Sequence, residues 1–364
     1  MERILIFHPY LATYRVDLYN KLAGDYEVEV LLTGSPAELK TLGFNLEKVN
    51  AKAKFKYTYY NKGLYLGRHL ISSIFIRTIK RFKPDIILAH EYGINTIIAI
   101  LAKPFFHYKL FITCDDSVQM AKEYSSTRKK LRRYITKHIN GELVVSKETQ
   151  SYLSHIFPKK KFIYFPIIQD DNILYENIMK SSQTAIAYKD NYHLHNKKIL
   201  LYVGRFVEVK NLPLLLKAYS QIANKENILV MVGDGSLKET LKDLIKELKL
   251  EDQVLMTGAL NGEQLYAWYY LADVFTLTST REAFGAVVNE ALVGGCFAVV
   301  SDHAGASTLI NKENGYVFES GNCNDLKDKL QKALNKNLSK LHINKMPQTF
   351  EDFYKDLINA FFTK

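Results

Sequence analysis

Residues 199–220 read ILLYVGRFVEVKNLPLLLKAYS, and the fold class follows from their pattern. The apolar run Ile199–Val203 is typical of a strand buried in a parallel sheet. From Leu212 onward, apolar residues recur at every third or fourth position, which predicts an amphipathic helix. A polar loop that contains glycine, residues 204–211, joins the two. A strand, a loop and a helix in this order form the repeating unit of parallel α/β domains.

The same alternation runs through both halves of the chain. The predicted strands are Ile4–Phe7, Val28–Leu32, Ile86–Ala89, Leu110–Thr113, Leu143–Val145 and Phe162–Phe165, then Ile199–Val203, Ile228–Val232, Val254–Met256, Val274–Leu277 and Ala298–Val300. Segments with helical periodicity separate them, as in sheets that are covered on both faces. We therefore expect an α/β protein of two Rossmann-like, doubly wound domains that face each other across a cleft. Ligands of such folds bind beyond the carboxyl ends of the strands.

The predicted domain organisation has four parts. An N-terminal domain covers residues 1–168, a polar linker 169–198, and a C-terminal domain 199–346. Residues 347–364 carry their apolar side chains on one stripe, which predicts a C-terminal helix. Because that stripe needs a partner, we expect the helix to pack back on the first domain.

Composition limits the function classes. The 364 residues are 47% hydrophobic, which is enough for two cores and argues against disorder. The cysteines, Cys114, Cys296 and Cys323, are too far apart to suggest disulfides or a metal site, and they fit a reducing, cytoplasmic setting. No apolar run has the length that a membrane-spanning helix needs.

The net charge of +11 is unevenly distributed. Residues 1–180 carry 28 Lys or Arg and 17 Asp or Glu, whereas residues 181–364 carry 21 of each. The first half therefore suits an anionic partner: nucleic acid, phosphate groups or an acidic membrane leaflet. Residues 126–139 combine six Lys or Arg with apolar residues at helical spacing. They predict either a basic helix on the inner face of the cytoplasmic membrane or an ordinary amphipathic helix.

The loop after Ile199–Val203 carries the first candidate site residues. Gly204 lets the backbone approach a ligand closely. Arg205 offers a planar fork of donors and Lys210 a point charge, a combination that suits a diphosphate. A solvated basic loop is the alternative interpretation.

A second candidate loop follows the predicted strand Val274–Leu277. Glu282 lies in the turn and Glu290 inside the next predicted helix. Backbone N–H groups near Phe284 and Gly285 would then point at an anion from the start of that helix. The two carboxylates can accept hydrogen bonds from sugar hydroxyls, or they can be a capping and a surface glutamate.

The spacing of Glu282, Phe284, Gly285 and Glu290, Glu-x-Phe-Gly-x-x-x-x-Glu, resembles the signature of family 4 retaining glycosyltransferases, which have the GT-B fold. Three more motifs resemble those of the family: Gly204-Arg205-x-x-x-x-Lys210, the turn Gly233-Asp234-Gly235, and Thr257-Gly258 in its base-binding loop. Together they cover most of residues 199–320, the expected donor domain.

The resemblance implies a role for each of these residues. Arg205 and Lys210 would bind the donor diphosphate. Glu282 would hold hydroxyls of the transferred sugar, and Glu290 those of the ribose. Further donor contacts are implied at Gly204, Gly233, Gly258, Ala283, Phe284, Gly285, Thr13 and Arg15. No metal and no cofactor is expected, because the two cations and the helix terminus take the place of Mg²⁺.

The first domain resembles the family less closely. Ala12-Thr13 stands where the family often has two glycines, and Arg15 follows as an additional cation. The neighbouring Tyr14 and Arg15 resemble a subgroup that builds bacterial surface polysaccharides. Asp115 and Asp116 follow a predicted strand, and either could orient the acceptor hydroxyl or act as a base. The same pair could instead cap a helix.

The resemblance implies a metal-independent glycosyltransferase that moves a hexose-type sugar with retention. The donor would be a UDP- or GDP-sugar, and the acceptor a lipid-linked or polysaccharide precursor of the cell envelope. The leaving phosphate oxygen would take the acceptor proton, and Glu282 would not be a covalent nucleophile. A nucleotide-sugar epimerase of related fold is the first alternative. A nucleic-acid-binding protein is the second, although no helix-turn-helix, RNP or finger pattern is present.

Overall fold

The computed structural model describes residues 1–34, 51–66, 69–337 and 342–363. The chain forms two compact units. Unit 1 consists of Met1–Ile167 with Glu351–Lys364, and unit 2 of Ile168–Phe350. Each unit has its own parallel sheet with helices packed against it, so the predicted class of two doubly wound α/β domains is confirmed.

The described residues of unit 1 form nine strands: β1 (Arg3–His8), β2 (Glu27–Leu32), β3 (Lys56–Tyr59), β4 (Leu64–Leu66), β5 (His69–Ile71), β6 (Ile86–His90), β7 (Lys109–Cys114), β8 (Gly141–Val144) and β9 (Lys161–Tyr164). Seven of them form a parallel sheet in the order β3-β2-β1-β6-β7-β8-β9, and β4 and β5 form a separate antiparallel hairpin. The direction of the strand order reverses between β1 and β6. At such a switch point the loops diverge and leave room for a ligand.

The helices of unit 1 cover both faces of this sheet. They are α1 (Val16–Asp25), α2 (Ile74–Phe82), α3 (Ile94–Phe106), α4 (Val118–Glu123), α5 (Ser126–His138), α6 (Lys147–Ile156) and the C-terminal α14 (Phe350–Phe362). Leu110 and Ile112 of β7 share a core with α2, α3 and α5. Phe111 points to the opposite face, where its ring lies 4.6 Å from that of Phe361 in α14. The C-terminal helix therefore belongs to unit 1.

Unit 2 is a parallel sheet of six strands in the order β12-β11-β10-β13-β14-β15. The strands are β10 (Lys198–Val203), β11 (Asn227–Val232), β12 (Val254–Gly258), β13 (Val274–Leu277), β14 (Phe297–Ser301) and β15 (Gly315–Phe318). The helices are α7 (Asp171–Lys180), α8 (Ser182–Asn191), α9 (Leu212–Ser220), α10 (Lys238–Glu247), α11 (Glu263–Leu271), α12 (Val287–Val293) and α13 (Cys323–Asn335). The strand order reverses between β10 and β13, which brings the loops after these two strands together.

The polar stretch 169–198 differs from the linker that the sequence predicts. It forms α7 and α8, both of which pack against α11 in unit 2. Asp170 caps α7 by accepting hydrogen bonds from two backbone N–H groups, and Tyr188 of α8 stacks on the buried Trp268 at 4.8 Å. A helix that contributes a few aromatic side chains to a surface layer stays polar overall, so its composition resembles that of a linker.

Within the described residues, no helix has both the length and the apolar character that crossing a membrane requires.

Candidate active site

Two loops at the carboxyl ends of β10 and β13 form the centre of the candidate donor site. The loop after β10 ends in the 3₁₀ turn Glu208–Lys210. Thr278 Oγ1 donates a hydrogen bond to the backbone oxygen of Lys210 at 2.8 Å, across 68 positions of sequence. The N–H of Thr280 donates to the backbone oxygen of Val209 at 2.9 Å. These bonds fix the two predicted donor motifs against each other.

The joined loops place a cation beside a carboxylate. Lys210 Nζ forms an ion pair with Glu282, and Ser279 Oγ donates to the same carboxylate at 3.3 Å. The Lys210 and Glu282 side chains are 14% and 20% exposed, so they are partly desolvated but still open to a ligand. A phosphate can bind the ammonium group while sugar hydroxyls donate to the carboxylate.

The backbone between Glu282 and α12 is held in one conformation. Phe284 is buried, and its carbonyl accepts a hydrogen bond from the N–H of Ala306 at 2.8 Å. Gly285 has φ +99°, and a Cβ there would lie 2.6 Å from Leu277 Cδ2. Only glycine fits this position without strain. Residues 283–285 therefore present a fixed strip of backbone directly before α12.

Glu290 of α12 is oriented by two residues that the sequence did not reveal. Tyr269 Oη donates to Glu290 Oε2 at 2.8 Å, and Gln169 Nε2 donates to Oε1 at 2.8 Å. Burial, and then the neighbouring Glu290, raise the pKa of Tyr269, so its hydroxyl keeps its proton and remains a donor. Neither partner belongs to a recognisable motif, and sequence separations of 21 and 121 hide both contacts.

The loops after β10, β11 and β12 approach one another through glycines. The N–H of Gly204 donates to Val232 O, and that of Gly233 donates to Gly258 O at 2.9 Å. A Cβ on Gly233 would lie 1.9 Å from Gly204 O, so a side chain cannot be accommodated. The Arg205 side chain extends from this edge of the sheet and is exposed.

In unit 1, the buried Arg15 and the partly exposed Asp115 form a pair at the end of the sheet. Arg15 is 1% exposed and forms an ion pair with Asp115, to which Tyr14 Oη also donates at 2.9 Å. Burial raises the pKa of Asp115 while Arg15 lowers it, and the net direction is down, so this group stays ionised. Thr13, the other predicted donor contact here, is exposed and begins the same 3₁₀ turn.

Two histidines at the switch point of unit 1 lie next to this pair. The rings of His8 and His90, at the ends of β1 and β6, have centroids 4.0 Å apart. His90 Nδ1 lies 3.2 Å from Thr113 Oγ1. Burial lowers the pKa of both histidines, so both rings are neutral at pH 7.

Asp116 has a different environment from Asp115. It is 3% exposed and forms an ion pair with Arg132 at 3.2 Å. Tyr124 Oη and Cys114 Sγ also donate to its carboxylate. Of the two aspartates that the sequence left open, Asp116 is enclosed by its partners in the protein interior, which favours Asp115 for contact with an acceptor.

Glu142 of β8 lies within the same buried network. It is fully buried, and its carboxyl accepts a hydrogen bond from Tyr92 Oη. Burial raises the pKa of Glu142 from 4.5 to about 7, against the opposing effects of Tyr92 and Arg132. The folded protein therefore holds a proton that the unfolded chain releases near pH 4.5.

This difference predicts a pH dependence of stability. The stabilisation from the bound proton is fully present below pH 4.5 and is lost as the pH rises through about 7. We expect a loss of about 3 kcal/mol across that window. Glu142→Gln should remove this pH-dependent loss. In thermal unfolding experiments, the stability of the variant relative to the natural protein should therefore rise as the pH is raised from 4.5 to 8. Parallel pH profiles would contradict the assignment.

The basic stretch 126–139 forms α5 and its C-cap, as predicted. Its apolar residues Leu131, Ile135 and Ile139 pack into the core beneath α3, and Arg132 is buried with them. The helix therefore presents charge and not an apolar stripe at its outer surface, which differs from the amphipathic helix on a membrane that the sequence suggested.

The cysteines are free: Cys114 and Cys296 are buried and Cys323 is half-buried. In the described part of the chain, no group of three or more His, Cys, Asp or Glu side chains is arranged to hold a metal ion.

Comparisons with known proteins find similarity to glycosyltransferases. Residues 187–349 match the family model described as Glycosyl transferases group 1. The N-acetylgalactosamine-N,N'-diacetylbacillosaminyl-diphospho-undecaprenol 4-alpha-N-acetylgalactosaminyltransferase of Campylobacter jejuni is 35% identical over 189 residues, 49% of this chain. The chain spans 48% of that relative. The N-acetyl-alpha-D-glucosaminyl L-malate synthase of Bacillus anthracis is 24% identical over 345 residues, 91% of this chain and 85% of the relative.

The fold has close counterparts among solved structures. The crystal structure of Anabaena Alr3699/HepE in complex with UDP and glucose superimposes with a TM-score of 0.70 at 18% identity, over 99% of each chain. Residues 187–349 are therefore similar to the Glycosyl transferases group 1 family, and the chain has the two-domain GT-B fold. The matched residues 187–349 include both predicted donor loops.

Proposed function

We propose that the protein is a retaining glycosyltransferase that moves a sugar from a UDP- or GDP-sugar to a lipid-linked or polysaccharide-precursor acceptor in envelope glycan synthesis. The observation that carries this proposal is the pairing of Lys210 with Glu282 on two loops fixed against each other in unit 2. A lysine for phosphate and a carboxylate for hydroxyls are the two groups that a nucleotide sugar needs side by side.

In this proposal Lys210 and Arg205 bind the donor diphosphate. Glu282 accepts hydrogen bonds from the transferred sugar, and Glu290, oriented by Tyr269 and Gln169, accepts them from the ribose. Backbone at Ala283, Phe284 and Gly285 contacts phosphate or sugar, and Gly204, Gly233 and Gly258 let the nucleotide approach the sheet edge. Thr13 and Arg15 of unit 1 remain proposed donor contacts, although the guanidinium of Arg15 already pairs with Asp115.

The proposed reaction breaks the bond between the anomeric carbon and the diphosphate oxygen, and forms one to the acceptor oxygen on the same face. The sugar passes through an oxocarbenium-like state. The departing phosphate oxygen takes the acceptor proton, so the products are the glycosylated acceptor and the protonated nucleoside diphosphate. Lys210 and Arg205 stabilise the charge that grows on the diphosphate. Asp115 orients the acceptor hydroxyl.

The proposed acceptor class rests on the similarity to the Campylobacter enzyme, whose name places its acceptor on diphospho-undecaprenol. A lipid-linked acceptor lies in a bilayer, so we place the protein on the inner face of the cytoplasmic membrane. The basic first half of the chain suits the anionic lipids and diphosphates found there.

A transfer assay tests the proposed function. The protein is incubated with a panel of radiolabelled UDP- and GDP-sugars and a polyprenyl-diphosphate-linked sugar, and lipid-extractable label is measured. We expect transfer from one donor, with the donor's anomeric configuration kept in the product as read by proton NMR. An inverted product, or label that reaches the lipid equally well with Lys210→Ala, would contradict the proposal.

A further inference from the structure

We propose that His303, in the loop after β14, is a positioning residue for the candidate donor site, because its imidazole fixes the turn that carries Glu282. We call residues 302–306 the β14 loop. The inference rests on the proposed function, in which Glu282 binds the transferred sugar. The β14 loop follows the strand next to β13 in the sheet, and it lies outside the motifs that the sequence predicted for donor binding.

The β14 loop runs directly alongside the segment that carries Glu282. The N–H of Glu282 donates to His303 O at 3.2 Å, and the N–H of Gly305 donates to Glu282 O at 3.3 Å. Glu282 and Ala304 therefore form a parallel bridge. A Cβ on Gly305 would lie 2.3 Å from Ala283 O, so the two backbones are in direct contact. The β14 loop thus supports Glu282 as a neighbouring strand would.

The side chain of His303 adds a bond to the turn that precedes Glu282. His303 Nδ1 lies 3.0 Å from Thr280 O. Because a carbonyl oxygen can only accept, Nδ1 carries a proton and donates it. In the neutral ring Nε2 is then the unprotonated nitrogen. Protonation of Nε2 leaves the Nδ1 donor in place, so the bond to Thr280 does not depend on the charge of the ring.

The residue that His303 binds is held from two sides. The N–H of Thr280 donates to Val209 O at 2.9 Å, in the loop after β10. The carbonyl of Thr280 accepts from His303, in the β14 loop. His303 is exposed, so removing its ring uncovers little apolar surface and costs little overall stability. The effect of the ring is therefore local to the turn.

Glu282 depends on the β14 loop more than Lys210 does. Both the N–H and the carbonyl of Glu282 bond to the β14 loop. The loop of Lys210 has a separate anchor, because Thr278 Oγ1 donates to the Lys210 carbonyl. In the proposed reaction Glu282 contacts the transferred sugar and Lys210 the diphosphate. Loss of the imidazole should therefore impair sugar transfer and spare nucleotide binding.

Transfer from a labelled UDP- or GDP-sugar tests the effect on Glu282. His303→Ala should lower kcat about tenfold to 100-fold, because displacing a positioned group by about 1 Å can cost about 100-fold. The affinity for UDP or GDP, measured by calorimetry, should stay within about twofold of that of the natural protein. Unchanged kcat, or a nucleotide affinity that falls as far as kcat does, overturns the proposal.

Conservative variants separate the hydrogen bond from the bulk of the ring. The side-chain amide of Asn can donate from nearly the position of Nδ1, and that of Gln from nearly the position of Nε2. His303→Asn should therefore keep most of kcat, whereas His303→Gln should resemble His303→Ala. Equal losses for the Asn and Ala variants overturn the proposal.

The matched control is His195→Ala. His195 is another exposed histidine of unit 2, and its Nε2 lies 2.7 Å from Asp190 Oδ1. It precedes the amino end of β10, at the opposite end of the strand from the donor loops. We expect this variant to turn over as the natural protein does. A loss of kcat equal to that of His303→Ala would mean that the effect is not specific to the β14 loop, and it overturns the proposal.

Hydrogen exchange reports the positioning without any activity. In His303→Ala the amides of Thr280 and Glu282 should exchange about fivefold to tenfold faster, as expected for the loss of one hydrogen bond. Mass spectrometry of fragments that cover residues 279–285 measures this, and His303→Asn should exchange as the natural protein does. Natural exchange rates in His303→Ala overturn the proposal. Faster exchange in that variant, with no transfer by the natural protein from any donor, supports the positioning and contradicts the proposed function instead.

Discussion

Replacing Lys210 by alanine lowers kcat about 100-fold to 1,000-fold, the range typical of losing one preorganised group that stabilises developing charge. In the structure this ammonium group lies beside Glu282, and bonds to Thr278 and Thr280 fix its loop. In the proposed reaction, negative charge on the diphosphate increases as the glycosidic bond breaks, so the interaction with Lys210 would strengthen in the transition state. The loss should therefore appear mainly in kcat and less in KM.

The matched control for this variant is Lys242→Ala. Lys242 forms an ion pair with Glu239 at 2.9 Å on the surface of α10, so its removal takes away a similar pair outside the donor loops. We expect near-normal turnover for the control, and losses for Glu282→Ala and Arg205→Ala as well. Near-normal kcat in all three donor-site variants, measured on folded protein, would refute the proposed site.

Replacing Arg132 by methionine destabilises unit 1 by about 3–5 kcal/mol, as expected when one partner of a buried ion pair is removed. Asp116 is 3% exposed, and the substitution would leave its carboxyl group in the interior without its cationic partner. Thermal unfolding should show a large fall in the midpoint. The neighbouring exposed Arg133→Met, a surface substitution, should change stability by no more than about 0.5 kcal/mol.

A double variant separates a structural Asp116 from a catalytic one. Arg132→Met combined with Asp116→Leu removes both charges, and we expect it to be less destabilised than Arg132→Met alone. If the double variant is as unstable as Arg132→Met alone, the loss of the ion pair between Arg132 and Asp116 does not explain the destabilisation. Asp115→Asn should lower transfer, measured on folded protein, and should also lower the melting midpoint, because it leaves the buried Arg15 without its carboxylate partner.

The sequence predicted most of the strands because buried parallel strands are short apolar runs. The list of predicted strands lacks β3, β4, β5 and β15, and each of these has only three or four residues. The helices α7 and α8 were not predicted for a different reason. They lie on the surface of unit 2, so their composition is polar and resembles that of a linker. Hydrophobic periodicity reveals a helix only when one face of the helix is buried, and α7 and α8 bury few side chains.

The proposed donor motifs could be recognised in the sequence because their spacing is local, whereas the position of one motif relative to the other could not be predicted. Glu282 and Lys210 are 72 positions apart, and nothing in either loop indicates that the two side chains pair. The partners of Glu290 are invisible for the same reason. Asp115 and Asp116 are adjacent in sequence in the loop after β7, yet one pairs with Arg15 and the other lies in the network around Arg132.

The helix α5 shows how one sequence pattern serves two structures. Apolar residues at helical spacing among basic ones are expected both for a helix on a membrane and for a helix that covers a core. The structure uses the apolar stripe for the core. The exposed apolar residues lie on the neighbouring α3, where an almost entirely apolar sequence concealed which side faces outward.

Titration calorimetry of nucleoside diphosphates into the full chain tests most directly whether unit 2 binds a nucleotide-sugar donor through Lys210, Glu282 and Glu290. UDP, GDP, CDP and ADP are titrated into the natural protein and into Lys210→Ala. We predict that UDP or GDP binds at one site per chain, and that its affinity falls about tenfold or more in the variant. Absence of binding for all four nucleotides, or equal affinity in Lys210→Ala, would contradict the proposed donor site.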